Sequence, residues 1–230
     1  MIKISVIKQR IEKEKIIVLI DGLGTINHFY YLIKKFIPSK YGYLQYSYSK
    51  NILNENSLET KENFLQLLEK ISKDLADLEK IKKRTFSMFS CSLGGLFCMI
   101  LADKIKVKKM MLVAPGYNLA EAFYFGQGKR TKKIKKKMIE KYLITLPTLK
   151  ETWKEISPDS YFKEKSHQTE FFIILSKNDG VIPTSSGQQL IDLLEKEKIK
   201  SKIIWTNLSH RIICLKELLF IKNFKKWLSE

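Results

Sequence analysis

Residues 86–95 read Phe-Ser-Met-Phe-Ser-Cys-Ser-Leu-Gly-Gly, and the apolar stretch Leu96-Phe97-Cys98-Met99-Ile100 follows directly. An apolar run of strand length thus ends in a tight turn of small residues and passes at once into a helix that is apolar nearly all round. Such a strand and helix both need cover on every side, which points to a layered sheet with helices packed against it. Ser92 stands at the apex of the turn, with Ser90 two residues before and Gly94 two after. The spacing is that of a nucleophile elbow, G-x-S-x-G, with Ser90 in place of the first glycine. A serine hydroxyl is pushed clear of a sheet only where the backbone is strained at the serine. The two flanking positions then approach each other and must be small.

Two later segments repeat the pattern of a short apolar run followed by a polar loop. Phe171-Phe172-Ile173-Ile174-Leu175 reads as a buried parallel strand and leads into Ser176-Lys177-Asn178-Asp179-Gly180-Val181-Ile182-Pro183. A strand at 202–205 is followed by Thr206-Asn207-Leu208-Ser209-His210, read as the loop after it. In motif order, this chain resembles the α/β-hydrolase family, in which the acid and the base follow the nucleophile. The resemblance covers nearly the whole chain and implies Ser92 as nucleophile, Asp179 as acid and His210 as base. All three fall at the carboxyl ends of expected strands, where open parallel sheets carry their sites.

Other candidates compare poorly. Ser90 lacks a glycine at its plus-two position, Cys91 projects away from the apex, and Asp192 falls within an expected helix. Asp179 before Gly180 also suits a plain turn. His28 begins a helix, and His167 lies in a polar stretch before a strand.

Lys15-Ile16-Ile17-Val18-Leu19-Ile20 is an apolar strand, and Asp21-Gly22-Leu23-Gly24-Thr25 is the glycine-bearing loop after it. By the same resemblance, the backbone N–H groups of Leu23 and Leu93 would form an oxyanion hole. Donors of this kind are worth roughly 3–4 kcal/mol each in the transition state. Family members often carry His-Gly where this chain has Asp21-Gly22. A dinucleotide fingerprint fails on spacing, because its third glycine would fall at Asn27.

The remaining periodicity completes a single α/β domain over 1–230. Strands are expected at 3–8, 15–20, 43–48, 85–90, 110–114, 171–175 and 202–205, the first two as an antiparallel hairpin. Helices are expected at 26–36, 58–80, 93–102, 186–197 and 215–228. The longest is marked by Phe64, Leu68, Ile71, Leu75 and Leu78 on one face. Between Pro115-Gly116 and the strand at 171 no strand is legible, and in the family this interval, about 117–169, holds a helical cap or lid. Its aromatics Phe123, Tyr124, Phe125 and Trp153 are candidates for a substrate pocket. Ile134, Met138 and Tyr142 repeat at four-residue steps in the lysine-rich stretch 129–137 and beyond, a basic amphipathic helix. It reads as a lid face that meets anionic membrane weakly, or as a solvated face packed by a narrow stripe.

Composition adds bounds. Forty-two Lys and Arg against twenty-four Asp and Glu leave a net charge of +18. That excess suits nucleic acid, anionic membrane or an acidic substrate. It also suits a lysine- and isoleucine-rich composition, and the even scatter of lysines without a nucleic-acid module favours this second reading. No stretch approaches the ~20 apolar residues of a transmembrane helix, and the first residues alternate like a strand. Cys91, Cys98 and Cys214 lack metal-ligand spacing and read as reduced thiols. A cytoplasmic enzyme is expected, with no metal, no organic cofactor and no obligate protein partner.

The function that follows is hydrolysis of a small carboxylic ester through an acyl-enzyme. Thioester or peptide cleavage is the neighbouring alternative. A non-catalytic relative that binds a ligand is the other.

Overall fold

In the computed structural model, described residues are 2–23, 35, 37–161, 168–215, 225, 226 and 228, with the side chain of Leu215 excepted. The expected helix at 26–36 (except Lys35) and most of the one at 215–228 lie outside them, as do Gly24, Thr25, His28 and His167.

Seven strands form one sheet: β1 (Ile4–Gln9), β2 (Lys15–Ile20), β3 (Tyr41–Tyr48), β4 (Thr85–Cys91), β5 (Val107–Val113), β6 (Glu170–Ser176) and β7 (Ser201–Thr206). Their order is β1-β3-β2-β4-β5-β6-β7, with β1 antiparallel to β3 and every other pair parallel. The expected hairpin of β1 and β2 does not form. β2 is buried from Ile16 to Ile20, so both of its edges are taken by strands that are themselves covered, β3 and β4. β1 is half-buried only at Ile4 and Val6 and otherwise exposed, which suits the sheet edge, where it pairs Ile4 with Tyr48.

Alternation along the inner strands builds two cores. Val18, Met88, Met110, Leu112 and Ile173 belong to the larger, beside α1 (Ser57–Ile81) and α2 (Leu93–Lys104). Leu19, Phe89, Met111, Val113 and Ile174 point the other way, with Ile213. Helix α1 starts where Asn56 accepts hydrogen bonds from the N–H groups of Leu58 and Glu59, a cap worth about 1 kcal/mol. It buries Phe64, Leu67, Leu68, Ile71, Leu75 and Leu78. Helix α2 is buried from Leu93 through Ala102, which is why its sequence shows no polar face.

Between β5 and β6 the chain runs through α3 (Leu119–Phe125), α4 (Lys129–Tyr142) and α5 (Leu146–Trp153), then two short 3-10 turns at Lys154–Ile156 and Pro158–Ser160. Trp153 is fully buried, donates its indole N–H to the Ser57 carbonyl at 2.9 Å, and meets Phe123 edge-on at 5.1 Å. That anchor ties the β5–β6 segment to the start of α1. After β6 come α6 (Thr184–Lys196), β7 and α7 (His210–Leu215). Among the described residues, no helix is long and apolar enough to cross a membrane.

The chain passes from β2 outward to β3 and then returns to the far side of β2 as β4. The order therefore reverses at β2, and the crevice at the carboxyl ends of β2 and β4 is where such sheets bind ligands. Leu23 follows β2 there, and Ser92 follows β4.

Candidate active site

Ser92 sits between β4 and α2 with φ 53° and ψ −126°, a conformation non-glycine residues rarely hold. Such strain costs on the order of 1–3 kcal/mol and persists only where the surroundings over-determine it. Here its N–H donates to the Val113 carbonyl of β5 at 2.8 Å, and its carbonyl accepts from the N–H of Gly95 at 3.0 Å. A Cβ at Gly94 would stand 2.0 Å from Ser90 Oγ, 2.4 Å from the Ile20 carbonyl oxygen and 2.7 Å from that of Asp21, so only glycine fits. Ser90, at the other flank, is fully buried and donates its hydroxyl to the Ile20 carbonyl at 2.6 Å. That hydrogen bond is why a serine is tolerated where glycine is usual.

Asp179 serves two purposes at once. Its Oδ1 accepts from the N–H groups of Val181 and Ile182, each at 2.8 Å, which shapes the loop after β6. Its Oδ2 lies 2.6 Å from His210 Nδ1. The turn role and the acid position are therefore compatible, one oxygen each. Neighbouring contacts clamp this loop to the one after β7: Lys177 N–H donates to the Thr206 carbonyl at 2.9 Å, and Asn178 Nδ2 to that of Asn207 at 3.0 Å. His210 is not in that loop, which spans only residues 207–209; it is the first residue of α7. Its Nε2 lies 2.9 Å from Ser92 Oγ. The structure thus brings Ser92, His210 and Asp179 into one hydrogen-bonded line from three separate segments.

Burial pulls the His210 imidazole down, but hydrogen bonds to Asp179 and Cys214, with their charges, outweigh it and push it up to about 10. Cys214 lies one helical turn beyond His210. A hydrogen bond with Cys91 lowers its thiol most, burial opposes, and His210 lowers it further, to about 6. The sequence reading took Cys214 only as a reduced thiol, although its four-residue offset from His210 places both on one helix face.

Leu23, Leu93, Ser92 and His210 all line one cavity of about 230 Å³. The loop after β2 that carries Leu23 is held by Gln45 Nε2 on Asp21 Oδ1 at 3.1 Å and Tyr48 OH on the Asp21 carbonyl at 2.5 Å. Of the four aromatics expected to line a pocket, Phe123 does so. Tyr124, Phe125 and Trp153 do not. Leu119, Ala122 and Phe123 share one face of α3 at three- and four-residue spacing, so its next two residues turn away. Tyr124 lies under Lys135 Nζ at 5.5 Å, Phe125 is 52% exposed, and Trp153 is committed to the core. The cavity wall also holds Leu53, Leu96, Val181 and Ile182, and the α4 residues Lys129, Arg130 and Thr131. Their roles were not legible because they come from four separate segments.

The basic stretch forms α4 as the four-residue steps predict, with Met138 buried and Ile134 half-buried. Several of its charges are spoken for inside the chain. Lys137 and Lys141 pair with Glu55, Lys136 with Glu140 at 3.6 Å, and Lys135 donates to the Tyr124 carbonyl.

No protein-family model matches this sequence, and no curated protein matches it. Solved structures do. An acylaminoacyl peptidase from Pyrococcus horikoshii superposes with a TM-score of 0.68 at 18% identity, over 100% of this chain and 39% of that one. The capsule O-acetyltransferase of Neisseria meningitidis serogroup A gives 0.66 at 17% identity, over 100% and 91%. An esterase from Pyrococcus furiosus gives 0.63 at 12% identity, over 99% and 84%. The chain spans less than half of the peptidase and most of the other two. At these identities the likeness is one of fold: this chain has the α/β-hydrolase fold.

Proposed function

We propose that this protein is a serine hydrolase that cleaves a carboxylic ester through an acyl-enzyme. The observation that carries the reading is the line Asp179 Oδ2–His210 Nδ1 at 2.6 Å and His210 Nε2–Ser92 Oγ at 2.9 Å, ending in a cavity. His210 Nε2 takes the Ser92 proton as Oγ attacks the ester carbonyl. Asp179 keeps the imidazole turned with Nε2 toward Ser92 and offsets its charge once protonated. The N–H groups of Leu23 and Leu93 serve the developing oxyanion. His210 then gives its proton to the departing alcohol, and a water molecule, deprotonated by the same imidazole, releases the acid and restores Ser92. The segment 117–169 acts as the cap, with α3 contributing Phe123 to the acyl pocket.

Thioesters and peptides suit the same machinery. An acyl acceptor other than water does too, a reading favoured by the O-acetyltransferase whose chain this one spans almost completely. Labelling with a fluorophosphonate probe tests the proposal. The parent should be labelled and Ser92→Ala should not; labelling of both, or of neither, overturns it. Adding an alcohol acceptor then separates transfer from hydrolysis by the products formed.

A further inference from the structure

The cavity wall combines apolar and cationic side chains. Apart from Ser92 and His210, much of the wall is apolar, with Leu53, Leu96, Leu119, Phe123, Val181 and Ile182. At the α4 end stand Lys129 and Arg130, and among the described residues no Asp or Glu side chain lines the cavity. Lys129 is in no ion pair among the described residues, and Arg130 Nη2 donates to the Lys50 carbonyl, a neutral acceptor. Neither cation is paired with a carboxylate among the described residues. An adjoining trough of about 650 Å³ shares Leu53 and Arg130 with it and adds Lys133 and Lys137. It also carries two acids, Glu55, which is held by Lys137 and Lys141, and Glu59. An apolar group beside Ser92 would thus be continuous with a charged group running out past Arg130.

Resting on the serine-hydrolase reading, we propose that the substrate is an acyl ester whose alcohol part carries a phosphate group. The acyl chain lies on the apolar wall, and Lys129 and Arg130 hold the phosphate, which Arg's planar fork and Lys's point charge both suit. The bond broken is that between the acyl carbon and the alcohol oxygen. Ser92 Oγ takes the acyl group, the phosphorylated alcohol leaves with the proton from His210, and the phosphate itself is not transferred. The phosphate belongs either to a soluble ester or to a lipid headgroup.

The matched pair 1-butyrylglycerol and 1-butyrylglycerol 3-phosphate differs in the phosphate alone. The parent should favour the phosphorylated ester in kcat/KM by about tenfold or more, and the preference should shrink between about 50 mM and about 500 mM NaCl. In Lys129→Glu/Arg130→Glu the ratio of the two kcat/KM values should fall at least about tenfold, and Lys129→Arg should preserve it. Lys129→Glu alone, at an exposed position, reads the same ratio should the double variant fold poorly. A parent that cleaves both esters equally, with the ratio unmoved in the variants, overturns the inference and leaves the hydrolase reading standing. Binding to Ser92→Ala separates the other failure. Should the parent cleave neither ester, phosphate-dependent binding that weakens with Lys129→Glu keeps the site, and its absence overturns it. 1-Oleoylglycerol 3-phosphate in phosphatidylcholine vesicles, preferred over the butyryl ester, would assign the phosphate to a lipid; the reverse preference would assign it to a soluble ester.

Discussion

Cys214 stands one turn beyond His210 on α7, where its thiol, with Asp179, pushes the imidazole up, while Cys91, the residue before Ser92, and His210 lower the thiol. The proposed base is thus flanked by an acid on one side and by an acidified thiol on the other. Both neighbours favour the imidazolium, whereas proton abstraction from Ser92 needs the neutral ring.

The sign of the pH dependence follows. With His210 pushed up toward about 10, the neutral imidazole is scarce at neutral pH, and kcat/KM should still be rising well above the pH of an ordinary histidine. Cys214→Ala removes a neighbour that raises the imidazole, while burial goes on lowering it. The rising limb should therefore move to lower pH. A profile of kcat/KM for p-nitrophenyl butyrate checks this, and an unmoved limb would count against a Cys214–His210 pair in the working enzyme.

Asp179→Asn separates the two tasks of that side chain. The amide oxygen can still accept from Val181 and Ile182, so thermal stability should hardly change. The amide nitrogen cannot accept from His210 Nδ1, and kcat should fall by ~10⁴-fold, as such a substitution does in other triads. Asp179→Ala should lose the activity and also about 1–3 kcal/mol of stability, because two loop N–H groups are left without their acceptor. Equal melting temperatures for the two variants would contradict the division of labour.

Gly94→Ala should be among the most damaging small changes in the chain, since its Cβ has no room among Ser90 Oγ, the Ile20 carbonyl and the Asp21 carbonyl. Overpacking of this sort costs roughly 1–3 kcal/mol or displaces the elbow. Adding Ser90→Gly removes the nearest obstacle but leaves the Ile20 oxygen at 2.4 Å. Denaturant unfolding of the double variant should accordingly show only partial recovery.

Acyl-length selectivity should depend on Phe123 and not on Phe125. Each substrate methylene buried against the apolar wall is worth ~0.8 kcal/mol, so kcat/KM should climb by roughly threefold to fourfold per carbon until the cavity is full. Phe123→Ala should shift or flatten that climb, and Phe125→Ala should leave it as in the parent. A p-nitrophenyl ester series from acetate to octanoate gives the comparison; identical series in both variants would remove Phe123 from the pocket.

The strand–turn–helix around Ser92 and the buried strands were written in the sequence, because each rests on local rules, whereas the order of Ser92, Asp179 and His210 was read from the resemblance to the α/β-hydrolase family. Small residues mark a crowded turn, unbroken apolar runs mark strands covered on both faces, and a three-to-four-residue stripe marks α1. What the tertiary structure alone decided rests on contacts between distant segments. The partner of β1 was settled by competition for the edges of β2, which no feature of residues 3–20 records. The pocket's share of the aromatics was settled by how α3 is rotated against α5, where Phe123 meets Trp153, which admits Phe123 and turns Tyr124 and Phe125 away. Trp153 went to the core because the carbonyl that satisfies its indole N–H belongs to Ser57, 96 residues earlier. Cys214 and Lys129 reached the site for the same reason. Periodicity tells which face of an element is apolar, but only packing tells which cavity that face meets.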